Sequence, residues 1–165
     1  MSKLDRMFEQ ACAFSDCAKC CEVDNNKIIE HRFKSHTVAG IVNSAFSCEV
    51  FIKTLLTYHK ISNDTMRKTG GHDLKKLWKL FKYKDEDTAQ DIENRMQKIF
   101  NLENESKFDE LLDIISNAFQ YWRYIYEKDS CKFNINFLRF FRILLREKCC
   151  NKLYNKTWEE YINKY

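Results

Sequence analysis

Residues 38–56 read VAGIVNSAFSCEVFIKTLL, and this stretch decides the fold class. Its apolar residues recur at steps of three and four, which is the spacing of a stripe along an amphipathic helix. The stripe consists of Val38, Ile41, Ala45, Cys48, Ile52 and Leu55, and it is widened by Val42, Phe46 and Leu56. A helix that is apolar on more than one side packs at the centre of a bundle. We therefore predict a central helix from Ile28 or Ser35 to about Lys60.

Similar stripes on either side of this stretch predict the other helices. They are expected at about residues 4–21, 72–81, 85–100, 108–126 and 134–149, with a short helix from Thr157. The segment 62–71, which contains Gly70 and Gly71, is expected to be a loop. The sequence thus predicts an all-α fold, an antiparallel bundle of about five to seven helices in a single domain spanning residues 1–165.

The composition agrees with a helical class. The 165 residues include no proline and three glycines, where average usage would give roughly eight and roughly twelve. An all-β sandwich or barrel is excluded because its tight turns need those two residues. Hydrophobic residues make up 44% of the chain and charged residues 32%, which is enough to build a core and to cover it.

Charge is distributed unevenly along the chain. The net charge is only +4, which does not by itself indicate a nucleic-acid-binding protein. Residues 53–84 and 132–156 are strongly basic, however, and residues 85–113 between them are strongly acidic. Two interpretations follow: the segments pair with each other across the bundle, or they form a dipolar surface for an anionic partner.

The sequence predicts a cytoplasmic protein with no membrane partner. Its start lacks the apolar core of a signal peptide. The longest apolar run, 133–145, is cut by Arg139 and Arg142 and is shorter than the roughly 20 residues that cross a bilayer. The eight cysteines include two adjacent pairs, and in a chain of this size reduced thiols are the better interpretation.

Cys17 and Cys20, followed by His31 and His36, approach the spacing of a zinc finger. In a finger the two cysteines lie on a β-hairpin, whereas these two lie in a helical stripe with no glycine or proline nearby. We interpret the cysteines of this helix as small buried residues, with zinc binding and redox or intermolecular disulfides as alternatives. The adjacent pair Cys149 and Cys150 receives the same interpretation. No metal and no cofactor is predicted.

Two polar pairs interrupt the apolar pattern. Glu49 and Lys53 are spaced i, i+4 in the order that favours a helical ion pair. Their neighbours are apolar, so the pair is expected to be partly buried. His72 and Asp73 follow the chain's only glycine pair, and Asp73 is placed to cap the next helix.

The segment 120–127, QYWRYIYE, is dense in aromatic residues. Arg123 and Glu127 form another i, i+4 pair among tyrosines. An arginine in such a setting can stack on a base and hold a phosphate. It can equally join two helices by binding carbonyl groups and Glu49.

Three blocks together resemble the HEPN superfamily (higher eukaryotes and prokaryotes nucleotide-binding) of helical domains. They are residues 43–56, 71–77 and 122–127, reading NSAFSCEVFIKTLL, GHDLKKL and WRYIYE, and the likeness spans about residues 40–128. The resemblance implies an up-and-down core that forms a homodimer, with the cysteine-rich helix 1–23 and the basic helices 132–165 as additions. It also implies either a metal-independent RNase of a toxin–antitoxin, phage-abortive or CRISPR-linked system, or a non-catalytic domain that binds RNA or nucleotide.

The chain departs from the family pattern at one point. HEPN RNases carry an arginine followed after four to six residues by a histidine, but no histidine follows Arg123. The general acid or base is therefore missing from its expected place. We predict a protein that binds RNA or a nucleotide without cleaving RNA, in a prokaryotic defence or toxin–antitoxin setting with an antitoxin or defence partner.

The predicted binding residues are seven polar residues from the three blocks: Glu49, Lys53, His72, Asp73, Arg123, Tyr124 and Glu127. One alternative is a metal-independent endoribonuclease, in which Arg123 stabilises phosphate charge and His72 or Tyr126 moves the proton. The other alternative is a non-catalytic protein-interaction module. The sequence leaves open whether the protein is an enzyme.

Overall fold

The computed structural model describes residues 1–23, 35–103, 105–116 and 134–163, which contain eight α-helices and no strand. The helices are α1 (Lys3–Val23), α2 (Ser35–Tyr58), α3 (Asn63–Thr69), α4 (Leu74–Lys84), α5 (Glu86–Phe100), α6 (Glu105–Ser116), α7 (Ile135–Tyr154) and α8 (Trp158–Ile162). The all-α class predicted from the sequence is confirmed.

The predicted loop at residues 62–71 is wrong for most of its length, because it contains α3. The Ser62 hydroxyl accepts a hydrogen bond from the backbone amide of Thr65 at 3.1 Å, which caps the start of the helix. Met66 is buried and anchors this short helix to the core. With α3 included, the described residues hold one helix more than the upper limit of the prediction.

Helix α2 occupies the centre of the fold, as its wide apolar stripe predicts. It packs against α1, α4 and α7. Ile41, Ala45, Cys48, Ile52 and Leu55 are all buried. Because three helices cover it, polar side chains on α2 also become buried, and this creates the site described below.

Aromatic rings join the other helices into a second layer of the core. Trp78 of α4 packs edge-on against Phe141 of α7, with ring centroids 5.2 Å apart. Phe108 of α6 lies 5.5 Å from Phe137 of α7. The second half of the helix predicted at 108–126 lies outside the described residues, beyond Ser116.

The interpretation of the cysteines is confirmed at one end of the fold and wrong at the other. Cys149 and Cys150 are buried, whereas Cys17 and Cys20 are exposed on the outer face of α1. Cys17 and Cys20 are spaced i, i+3 and share one face, whereas the buried residue of that turn, Ala18, lies on a different face of α1. Within the described ranges, no group of three or more candidate ligands could hold a metal ion; His31 and the side chain of His36 lie outside those ranges.

The oppositely charged segments pair with each other across the bundle. Lys148 of α7 lies 2.6 Å from Asp91 of α5, and Lys82 of α4 lies 2.6 Å from Glu93 of α5. Lys75 of α4 reaches Asp113 of α6 at 2.9 Å. Pairing within the chain, the first of the two interpretations, therefore accounts for part of the charge pattern.

Among the described residues, one helix is long and apolar enough to cross a membrane by length and composition, and sequence reasoning overlooked it. It is the part of α2 from Thr37 to Tyr58. However, 67% of its most apolar window is buried inside the protein. Burial of this extent is expected of the core helix of a bundle.

Candidate functional site

Three of the predicted site residues meet beside α2. The Lys53 ammonium donates to Glu49 Oε1 at 2.6 Å. The Nδ1 atom of His72, from the turn before α4, lies 3.0 Å from Oε1 and 3.1 Å from Oε2 of the same carboxylate. The i, i+4 pair predicted on α2 is thus formed, and a histidine 23 residues further along the chain joins it.

Burial gives this cluster its chemistry. The Glu49 side chain is only 3% exposed, whereas those of Lys53 and His72 are 23% and 53% exposed. A buried carboxylate needs charged or hydrogen-bonding partners to offset desolvation. Because carboxylate oxygens accept hydrogen bonds, the hydrogen of the neutral imidazole lies on Nδ1 and its acceptor atom is Nε2. Glu49 therefore orients an imidazole that reaches solvent.

A tight turn of two glycines holds His72 in this position. The backbone amides of Gly70 and Gly71 both donate to the carbonyl of Met66, at 2.9 and 3.0 Å. Gly71 has a φ of +59°, a left-handed conformation that residues with a Cβ rarely adopt. Gly70 has a negative φ, but a Cβ there would lie 2.8 Å from the side chain of Leu77.

We expect Gly70→Ala to lower the free energy of unfolding by about 1–3 kcal/mol, because the added methyl group overpacks against Leu77 in a buried contact. Urea denaturation followed by circular dichroism measures the change. Gly71→Asn is the control, since asparagine tolerates a positive φ and the nearest atom to a Cβ at this position is 3.7 Å away. Equal stability of Gly70→Ala and the wild type would contradict the close packing of this turn.

Asp73 caps α4, as predicted, and its described partners belong to the scaffold. Its Oδ1 accepts the backbone amide of Lys76 at 3.0 Å and the hydroxyl of Ser116 at 2.6 Å. Burial acts to raise the pKa of Asp73, but these hydrogen bonds outweigh it and hold the pKa below its ordinary value. Asp73 thus ties the start of α4 to the end of α6, next to His72.

The remaining predicted site residues lie outside the described residues. They are Arg123, Tyr124, Tyr126 and Glu127. Their predicted roles, including a contact between Arg123 and Glu49, remain predictions.

Glu49, Lys53 and His72 line a groove of about 510 Å³ between α1, α2 and α3, which we call the Glu49 groove. Its apolar wall includes Phe46, Val50 and Met66. Lys3 and Arg67 add two further cations to its lining. The groove therefore combines an apolar surface with three cations (Lys3, Lys53 and Arg67) and the His72 imidazole around one buried carboxylate.

Sequence reasoning missed the contributions of α1 and α3 to this groove. Lys3, Met7 and Gln10 follow each other at helical spacing on α1, and Asn63 and Arg67 are spaced i, i+4 on α3. The spacing places each set on one face of its helix. Nothing local in the sequence, however, shows that these faces turn toward Glu49.

No protein-family model matches the chain, and comparisons with curated proteins and with solved structures returned no match.

Proposed function

We propose that this protein is a HEPN-like RNA- or nucleotide-binding protein that acts in a prokaryotic defence or toxin–antitoxin setting, and that the Glu49 groove is its binding site. The proposal includes the antiparallel HEPN-like core and the homodimer that the family resemblance implies. The observation that carries it is the groove itself, in which His72 and Lys53 cover the buried carboxylate of Glu49.

The charges in the groove favour an anionic ligand. Lys3, Lys53, Arg67 and His72 line it together with Glu49. Glu49 is buried and already accepts hydrogen bonds from Lys53 and His72. With Glu49 paired to Lys53, the lining keeps the positive charges of Lys3 and Arg67, which favour a phosphate group.

The apolar wall of the groove suits the base or ribose of a nucleotide. Phe46 and Val50 of α2 and Met66 of α3 line the groove beside the basic groups. A pocket that combines apolar walls with a few polar groups is the usual form of a small-ligand site. A base or ribose against these side chains, with its phosphate on Lys53 or Arg67, would use both parts of the groove.

The geometry of His72 also supports a second candidate, a metal-independent endoribonuclease. An imidazole whose Nδ1 is held by a carboxylate is a common arrangement for a general base or acid. The separation of 3.0 Å between His72 Nδ1 and Glu49 Oε1 has this form. His72 would then replace the histidine that is missing after Arg123.

The binding proposal is tested by fluorescence anisotropy with a labelled 20-nucleotide RNA and, separately, with labelled mononucleotides. We expect Lys53→Met to weaken binding. The slope of the logarithm of the RNA-binding constant against the logarithm of the salt concentration should fall in magnitude by about 0.7, the value for one phosphate contact. Lys98→Met, a charge removal on the exposed face of α5, is the matched control. Absence of salt-dependent binding by the wild-type protein would contradict the binding proposal and favour the alternative hypothesis of a protein-interaction module.

The candidate enzyme requires a separate assay. RNA cleavage by the purified wild-type protein in EDTA, lost in His72→Ala and also in Arg123→Ala, would establish the endoribonuclease. Both variants must retain the circular dichroism spectrum of the wild type. RNA that is bound and remains intact supports the non-cleaving protein.

A further inference from the structure

The two basic segments of the chain differ in how their charges are used. On α7, Arg142, Lys148 and Lys152 are each paired with a carboxylate of another part of the fold. On α3 and α4, by contrast, most cations are exposed, and Arg67 and Lys76 pair with carboxylates three residues earlier in the chain. These exposed residues are Arg67, Lys68, Lys76, Lys79 and Lys84.

The outer face of α4 places three of its exposed side chains in a row. Lys76, Lys79 and Tyr83 are spaced i, i+3 and i+7, so they share one face over about 10 Å of helix. Tyr83 is 80% exposed, which is unusual for a large aromatic side chain. The ammonium of Lys84 lies 4.9 Å from the centre of its ring.

This row begins close in the chain to the Glu49 groove. His72 and Arg67 line the groove, and Lys76 follows His72 by four residues, in the first turn of α4. The nearby carboxylates of Asp64 and Asp73 are engaged by Arg67 and Lys76. The row ends near Glu86 and Asp87, two exposed acidic residues at the start of α5.

We propose that the exposed face of α3 and α4, from Arg67 to Tyr83, is a track for single-stranded RNA that leads into the Glu49 groove. The inference rests on the proposed function and deepens it, because it assigns the protein a polymer rather than a mononucleotide as its ligand. Lysines spaced along a helix face hold successive phosphates. An exposed tyrosine among them stacks on an unpaired base, which a duplex does not offer.

The experiment compares the double variant Lys76→Glu/Lys79→Glu with Lys19→Glu/Lys98→Glu, which makes the same charge change at exposed positions on α1 and α5. Binding of a labelled 20-nucleotide single-stranded RNA, of the duplex of the same sequence and of a mononucleotide is measured between 50 and 300 mM salt. We expect the α4 variant to lower the salt slope for single-stranded RNA by about 1.4, at about 0.7 for each lost contact. Its mononucleotide affinity should stay within about twofold of the wild-type value, because ligand contacts in the groove are retained.

Tyr83→Ala is the second variant. Because the Tyr83 side chain is exposed, its removal should leave the fold intact, so lost binding would reflect a lost RNA contact. We expect Tyr83→Ala to lower the affinity for single-stranded RNA at least about fivefold and the affinity for the duplex much less. Equal loss in the α4 variant and in its control, or no loss in either, would overturn the track while Lys53→Met still tests the groove. Wild-type protein that binds none of the three probes would overturn both the track and the proposed function.

Discussion

Replacing Arg142 by alanine is expected to lower the free energy of unfolding by about 3–5 kcal/mol, the usual cost of removing one partner of a buried ion pair. The Arg142 side chain is only 2% exposed. Its guanidinium donates to the Ser44 hydroxyl at 3.0 Å and to the Glu22 carboxylate at 3.0 and 3.3 Å. Loss of Arg142 leaves Glu22 with a weaker set of partners and opens a cavity between α1, α2 and α7.

The control for this variant is contained in the same cluster. Arg139 also contacts Glu22, at 3.2 Å, but its side chain is 48% exposed. Arg139→Ala should therefore cost less than about 1 kcal/mol. The double variant Arg142→Ala/Glu22→Ala should be less unstable than the sum of its single variants. Similar losses in Arg139→Ala and Arg142→Ala in urea denaturation would contradict the burial of this pair.

The second large effect is expected at Asp85, which joins three parts of the fold. Its Oδ1 accepts the backbone amide of Thr88 and so caps α5. Its Oδ2 accepts hydrogen bonds from His59, the residue that follows α2, and from Lys152 of α7, both at 2.9 Å. We expect Asp85→Ala to cost about 2–4 kcal/mol at pH 7, since it removes a helix cap and two charge-assisted hydrogen bonds.

Asp85→Asn separates the charge from the cap, because asparagine also caps helices well. Burial acts to raise the pKa of Asp85, but the bonds from Lys152, Thr88 and His59 outweigh it and lower the pKa to about 2. A carboxylate with a lowered pKa stabilises the fold above its ordinary pKa of 3.8 and loses that effect as the pH falls toward 2. The stability difference between the wild type and Asp85→Asn should therefore be full above about pH 5 and shrink between pH 4 and pH 2. A difference that stays constant over this range would contradict the lowered pKa.

The fold class was predictable because it depends on repeated local spacing. The stripe of α2 indicates both a helix and its central position, and the structure bears out both. Helix α3 was not predictable by the same means, since its seven residues have a single buried side chain, Met66. The exposure of Cys17 and Cys20 was also missed. The average preference of cysteine for the interior says nothing about which side of α1 faces α2.

The site was predictable only where its residues are close in sequence. Glu49 and Lys53 are one helical turn apart, so their contact follows from the geometry of a helix. The contact between His72 and Glu49 depends on how the turn at Gly70 and Gly71 packs on α2, which no local pattern specifies. The positions of Lys3 and Arg67 in the groove also depend on contacts between residues far apart in the sequence. The packing of α1 and α3 against α2 brings them there.

Photo-crosslinking tests the central claim, that RNA binds in the Glu49 groove, more directly than any loss of binding. The wild-type protein is irradiated with a single-stranded RNA that contains 4-thiouridine, and the crosslinked peptides are identified by mass spectrometry. We expect crosslinks in residues 46–53 of α2 and 67–83 of α3 and α4, and we expect unlabelled RNA to compete them away. Crosslinks confined to α5 or α7, or none that unlabelled RNA competes away, would contradict the account.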